Sequence, residues 1–282
     1  MNQMFFSEDV SRLLRDALRE DIGTGDITTL SVIDHTRQAY GRYVAKEDGI
    51  LCGMDVVEEV FRMLDDSVVL TRRVQEGESF RRGDVLAEVR GNAVSLLSGE
   101  RVGLNLLQHL SGIATRTREA VDAVSGTSAH IVDTRKTTPG MRVLEKYAVR
   151  VGGGSNHRFN LADGVLIKDN HIVAAGSITN AIAAAKRSAP HTLKIEVETE
   201  TMEQVDEALA AGADIIMLDN MNNETMRAAV ERIAGRAMTE ASGNMGERDL
   251  RAVAETGVDL ISIGAITHSV RALDISLKFV VE

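Results

Sequence analysis

Residues 193–219 read LKIEVETETMEQVDEALAAGADIIMLD. A short run rich in β-branched residues is followed by a polar break, a segment with Met202, Val205 and Leu209 three and four apart, a glycine, and a second apolar run. This spacing predicts strand, amphipathic helix, strand. The pattern extends outward in both directions. Short apolar runs occur at 130–133, 164–168, 193–198, 213–219, 236–241 and 258–264, with helical segments at about 177–188, 201–211, 223–234 and 246–256. The runs are nearly continuous in apolar residues, as parallel strands covered on both faces must be. Repeated strand–helix units imply an α/β barrel or a doubly wound sheet.

The residues that follow the runs favour the barrel. In order they are Arg135-Lys136, Lys168-Asp169-Asn170-His171, Glu198, Asp219-Asn220, Glu240-Ala241-Ser242-Gly243-Asn244 and Gly264-Ala265-Ile266-Thr267-His268. A barrel brings all strand C-termini to one mouth, where chemistry is placed. A doubly wound sheet uses mainly its switch point. Six runs fall short of the eight of a complete barrel, so the expected fold is α/β, an incomplete TIM-like parallel barrel of six to seven strands at 104–269.

Upstream, residues 1–103 predict a smaller α+β domain. Residues 7–20 place Val10, Leu13, Leu14 and Leu18 on one helical face, with Ser7 as a plausible N-cap. Residues 21–29 read as a loop entering a strand. Strand-like pieces at 39–46 and 67–75 flank a helix at 54–64, and glycines punctuate 76–91 as in a compact hairpin. A long helical pattern at 95–124, with a break expected near Gly112, bridges the two domains.

Composition excludes several functions. The 282 residues carry a formal net charge of −10 and a pI near 5.3, which argues against a general duplex binder. Six Phe, three Tyr and no Trp leave few rings for stacking single-stranded bases, so no nucleic-acid partner is expected. No apolar run approaches the roughly 20 residues of a membrane span, and the N-terminus lacks a secretory pattern. Cys52 is the single cysteine and sits in an apolar run, so it reads as a buried structural thiol. These features together predict a cytoplasmic protein with no membrane partner.

Residues 133–171, DTRKTTPGMRVLEKYAVRVGGGSNHRFNLADGVLIKDNH, hold seven Lys or Arg against four Asp or Glu, a local excess of three in an acidic chain. This is the mark of a local anion site. Arg142, Lys146 and Arg150 fall four apart and fit a solvated helix face. Arg135, Arg158 and Lys168, with His157, suit carboxylates, and three cations suit a dianion. Gly152 to Gly154 let the backbone approach something closely. Ser242-Gly243-Asn244 and Gly264 to His268 offer small residues to a phosphate. Glu198 and Asp219 could hold Mg²⁺, offset developing positive charge, or act as a hydrolase pair. His171 and His268 lack the spacing of a zinc pair and read as anion-binding or structural residues.

Taken in order, EDIGTGDIT (20–28), SGERVGLNLLQHLSGIAT (98–115), DTRKTTPGMRVLEKYAVRVGGGSNHR (133–158), LIKDNHI (166–172), KIEVET (194–199), IMLDN (216–220), EASGN (240–244) and IGAITHS (263–269) closely resemble the quinolinate phosphoribosyltransferase family. The match spans nearly the whole chain. Asn244 stands where many members have a second Gly.

The resemblance implies quinolinate and phosphoribosyl pyrophosphate as substrates, transfer of the phosphoribosyl group with loss of CO₂, and a place in NAD biosynthesis. It implies that residues 270–282 return to pack on the first domain. It also implies a homodimer in which Arg101 acts in the other subunit's site. By position, quinolinate is held by Arg101, Arg135, His157, Arg158 and Lys168. Phosphoribosyl pyrophosphate is held by Lys136, Glu198, Asp219, Ser242, Gly243, Gly264 and His268, with Mg²⁺ near Glu198 and Asp219. Lys136, Lys168, Glu198 and Asp219 are the implied catalytic groups. Two other readings are a sister enzyme with a different acceptor, such as a nicotinate phosphoribosyltransferase or a molybdenum-associated paralogue, and a non-catalytic barrel that senses phosphorylated metabolites.

Overall fold

The first helix is amphipathic, and Val10, Leu14 and Leu18 form its buried stripe. It is α1 (Glu8–Ile22) in a computed structural model that describes residues 8–280. The expected Ser7 cap lies outside the described residues. Next comes α2 (Ile27–Val32), where a strand entry is expected. Asp26 reverses that expectation: its carboxylate accepts the Thr29 N–H and starts a helix. The chain continues through β1 (Gln38–Ala45), β2 (Gly49–Ile50), α3 (Met54–Leu64), β3 (Val69–Arg72), β4 (Ser79–Phe80), β5 (Val85–Asn92) and α4 (Ala93–Ala123). Then follow β6 (His130–Val132), α5 (Arg142–Val151), β7 (Val165–Ile167), α6 (Asp169–Ala175), α7 (Ile178–Ser188), β8 (Ile195–Thr199) and α8 (Met202–Ala211). Last are β9 (Ile215–Asp219), α9 (Asn223–Ile233), β10 (Met238–Ser242), α10 (Leu250–Ala254), β11 (Leu260–Ser262), α11 (Ala265–His268) and β12 (Ile275–Val280).

Two units divide these elements. One comprises the chain up to Arg118, Thr138–Gly153 and the segment from Val270; the other comprises Glu119–Thr137 and Gly154–Ser269. Residue 103 lies inside α4, and the division falls further along that helix.

In the first unit, β1 pairs antiparallel with both β5 and β12, in a sheet ordered β12-β1-β5-β3. The hairpin expected at 76–91 does not form, because β4 pairs with β2 while β5 joins the larger sheet. Glycine punctuation marks the turns but not the pairing partners, which are distant in sequence. The core gathers Tyr43, Leu51, Met54, Phe61, Leu86, Leu96 and Leu107. Cys52 is buried there, and burial pushes its thiol up.

Within this unit α5 does not present a solvated basic face. Lys146 is 1% exposed, and Glu145 is buried against His109 at 2.9 Å. Four-residue spacing identifies a row on a helix but not which side is covered. The glycine run beside α5 is also accounted for, since a Cβ at Gly152 would meet the Ala114 carbonyl at 2.5 Å.

The second unit holds six parallel strands in the order β6-β11-β10-β9-β8-β7. That order follows the chain around a barrel and leaves one seam, between β6 and β7, where a single bridge joins Val132 to Ser155. Ser177, Thr201, Asn222 and Asp249 cap α7, α8, α9 and α10 with side-chain oxygens. Val197, Ile216, Leu218, Ala241 and Ile261 are fully buried, one face of the sheet. Side chains alternate along a strand and paired residues share a face. Glu196, Glu198, Met217, Asp219, Glu240 and Ser242 therefore share the opposite face.

The break expected at Gly112 is absent, because α4 runs unbroken. Glycine is kept there by a close approach: an added Cβ would lie 2.4 Å from the Arg271 carbonyl oxygen. We expect Gly112→Ala to lower stability by about 1–3 kcal/mol through overpacking, against the gain of roughly 1 kcal/mol that helix propensity alone supplies. Urea unfolding midpoints check this, and a stabilised variant would contradict the tight contact.

Candidate active site

The parallel register carries the polar residues to one end of the sheet. Lys168 follows β7, Glu198 lies near the end of β8, Asp219 ends β9, Ser242 ends β10, and Gly264 and His268 follow β11. Ser242 is paired with Asp219, and Glu198 with Met217. The strand-end groups named from the sequence thus share one rim of the second unit. Arg101 is exposed on α4 in the first unit.

Three clusters can be distinguished. In the first, Lys168 Nζ donates to Glu198 Oε2 at 2.9 Å. Lys168 also caps α6, where its N–H donates to His171 Nδ1 at 3.0 Å. This gives His171 a structural role. Asp219 Oδ2 accepts the Asn220 amide at 2.6 Å. Gly243 has φ of +95°, and a Cβ there would lie 2.3 Å from Asn220 Oδ1, so the turns after β9 and β10 sit hard against each other.

In the second cluster, Lys136, Gly264 and His268 converge. A Cβ at Gly264 would meet Lys136 Cδ at 2.9 Å and His268 Nε2 at 3.3 Å. The Thr267 hydroxyl donates to the Lys136 carbonyl at 2.8 Å and fixes the loop after β6 against α11. An exposed lysine and histidine beside a glycine-started turn can receive a phosphate group.

The third cluster begins with Asp133, which is fully buried. Its carboxylate accepts the His157 N–H at 2.8 Å and the Asn156 amide at 2.6 Å. Arg158 donates from Nη1 to the Gly164 carbonyl at 3.1 Å. Burial holds the Arg158 guanidinium below its ordinary value, and the neighbouring Arg135 charge acts the same way. Two like charges in each other's field provide strong attraction for an anion.

Sequence reasoning gave no role to Glu196, or to Glu240, which it placed only in a strand-end cluster. They are 4% and 1% exposed, and both lie against His157 Nε2, at 3.1 and 3.6 Å. Glu196 Oε1 and both Glu240 oxygens are buried without a hydrogen-bond partner. Burial pushes the Glu240 carboxyl up, and Glu196 adds to the rise. The signal was present in I-E-V-E, where two acids two residues apart must share one face of a strand. The His157, Glu196 and Glu240 ligand atoms lie within 4.8 Å of one another, the one such grouping among the described residues. Glu198 and Asp219 instead offer hard oxygen donors nearer the strand ends, a set that fits Mg²⁺ completed by substrate and water oxygens.

Residues 26–111 match the N-terminal domain of quinolinate phosphoribosyl transferase, and residues 113–278 match its C-terminal domain. A probable nicotinate-nucleotide pyrophosphorylase (carboxylating) of Bacillus subtilis is 50% identical, over 95% of this chain and 92% of that one. Its counterpart in Synechocystis is 48% identical, over 95% and 91%. The crystal structure of NadC from Streptococcus pyogenes superimposes with a TM-score of 0.90 at 44% identity, covering 96% of this chain and 97% of that one.

The raised Glu240 carboxyl makes stability depend on pH. Between the ordinary carboxylate value and its raised one, the folded chain keeps a proton that the unfolded chain has lost. Its contribution is therefore full in acid and falls as pH rises through the folded value. We expect the difference in unfolding free energy between the wild type and Glu240→Gln to shift against the wild type from pH 5 to pH 9. Denaturant titrations at the two pH values check this, and parallel curves would contradict it.

Proposed function

Because this chain belongs to the quinolinate phosphoribosyltransferase family, we propose that the three clusters divide its reaction between a diacid half-site and a phosphoribosyl half-site. The enzyme joins quinolinate to phosphoribosyl pyrophosphate, forming nicotinate mononucleotide, CO₂ and pyrophosphate in de novo NAD biosynthesis. The division of labour carries over the positions named from the sequence. The single observation that supports it best is the Arg135 and Arg158 pair, two guanidinium groups in each other's field, which suits an anion carrying more than one charge.

Arg135, Arg158 and Lys168 would hold the two carboxylates, with Arg101 of the partner subunit closing the site. The exposure of Arg101 is compatible with this. The single buried Cys52 fits the reducing cytoplasm. Lys136, Gly264 and His268, with Ser242 and Gly243, would hold the phosphates.

Breaking the bond from ribose to pyrophosphate leaves positive charge on the sugar. Glu198 and Asp219 would stand beneath that charge and stabilise it as it develops. Lys136 would balance the negative charge on the departing pyrophosphate. Bound Mg²⁺ would neutralise the pyrophosphate, held by Glu198, Asp219 and water. The pyridine nitrogen then bonds to the anomeric carbon and becomes cationic. That charge stabilises the carbanion left when the adjacent carboxylate leaves as CO₂, and the carbanion takes up a proton. Lys168 is the hinge of the scheme, because its ammonium reaches Glu198 while belonging to the diacid side. It would keep the two substrates in register, so that proximity does much of the work. The like-charged cations favour a diacid over nicotinate as acceptor, and carboxylates beside a phosphate site argue against a mere sensor.

The direct test is release of CO₂ and nicotinate mononucleotide from quinolinate, phosphoribosyl pyrophosphate and Mg²⁺. We expect Arg135→Ala and Lys168→Ala each to reduce turnover by at least about 10²-fold; near-normal rates in both would sink the assignment. Mixing inactive Arg101→Ala with inactive Lys168→Ala should restore about a quarter of wild-type activity, as random exchange in a two-fold dimer requires. No recovery after verified exchange would refute a site shared across the interface.

A further inference from the structure

The ring of His157 faces the buried acids. Its Nδ1 accepts the backbone N–H of Arg158 at 2.7 Å. A ring nitrogen that accepts carries no proton, so the network assigns the hydrogen to Nε2. That Nε2–H faces Glu196 Oε2 at 3.1 Å and Glu240 Oε2 at 3.6 Å. In this tautomer the ring is neutral, and Nε2 has no lone pair for a cation. A metal among the three groups would need the proton on Nδ1, where it would oppose the Arg158 N–H. Geometry therefore argues for a hydrogen-bonded clamp rather than a metal centre.

The clamp leads to the diacid site through one peptide unit. The N–H that fixes the tautomer belongs to Arg158. The preceding backbone is tied from the other side, where His157 N–H and the Asn156 amide both end on Asp133. The guanidinium of Arg158 then stands in the field of Arg135. Two cations that repel need a rigid backbone to hold either one in place, and Glu196, which takes the ring proton at 3.1 Å with buried Glu240 at 3.6 Å, supplies an anchor.

We propose that Glu196 and Glu240 are positioning residues for the diacid: they clamp a neutral His157 ring and through it fix the backbone from which Arg158 meets a substrate carboxylate. The proposal rests on the function given above, and it gives His157 a scaffold role in the site. Neither acid touches substrate in this scheme. Their loss misplaces Arg158 without removing a cation from the mouth.

The test combines steady-state kinetics with ¹⁵N NMR of the intact protein. In Glu196→Ala, KM for quinolinate should rise about tenfold, the scale of a lost buried hydrogen bond to a charged group, and in Glu240→Ala, whose carboxyl stands 3.6 Å from the ring, it should rise by a smaller factor. KM for phosphoribosyl pyrophosphate and kcat should change by less than about twofold. Glu196→Gln and Glu240→Gln keep the shape and a polar head, so they should recover most of the affinity. The His157 nitrogens should report the neutral Nε2–H form, unmoved by added Zn²⁺ or Mn²⁺.

A parallel rise in both KM values, a fall in kcat alone, glutamine variants as impaired as alanine ones, or metal bound at His157 Nε2 would each overturn the proposal. If the alanine variants do not fold, the glutamine variants and the tautomer decide. A wild-type protein inert toward quinolinate would refute the function itself, while the tautomer would still test the clamp.

Discussion

One seam governs the second unit. Five neighbouring pairs of parallel strands are joined by their ladders, and the sixth, between β6 and β7, is not. The chain closes that edge with irregular backbone. Asp133 N–H donates to the Ser155 carbonyl, Ser155 N–H donates to the Ile131 carbonyl, and the Asp133 carboxylate takes Asn156 and His157. A buried carboxylate is costly unless its oxygens are satisfied, and here both are. The segment that fills the seam is also the one that carries Arg158. The unfinished edge and the placement of Arg158 are consequences of the same few hydrogen bonds.

From that seam the charge distribution of the barrel becomes intelligible. Cations arrive on loops and strand ends of the first half: Arg135 and Lys136 after β6, Arg158 before β7, Lys168 after it. Acids arrive from within the strands: Glu196 and Glu198 on β8, Asp219 on β9, Glu240 on β10. The upper acids can meet a sugar that becomes positive. The lower ones are deep enough to need other work, and Glu240 resists ionising there. Alternation at period two makes this layering possible, because one strand presents acids at two depths on the same face.

Much of this was legible in the chain itself. The alternation of apolar runs with helices located all six parallel strands, since period and length are local properties. The polar residues after each run marked the rim for the same reason. What escaped depended on distant partners. Nothing near residues 76–91 says that β4 pairs with β2 and β5 with β1. Lys146 looked solvated because spacing does not reveal what covers a helix face. Gly112 looked like a break because its reason, the Arg271 carbonyl, is far along the chain. The roles of Glu196 and Glu240 required His157 to be brought beneath them from another strand's loop.

The sheet ordered β12-β1-β5-β3 has a bearing on how the polypeptide is made. Strand β1 pairs from Tyr40↔Val280 to Ala45↔Ile275 with residues synthesised well over two hundred positions later. During translation β1 has a partner on only one side, while the whole second unit is still emerging. An unpaired edge of six residues invites pairing with another nascent chain, and such distant contacts form slowly. Completion of the antiparallel sheet by β12 is therefore a late event, possible only after the strands of the barrel are already available to fold. Crowded polysomes and rapid overexpression should be where this protein most needs chaperones.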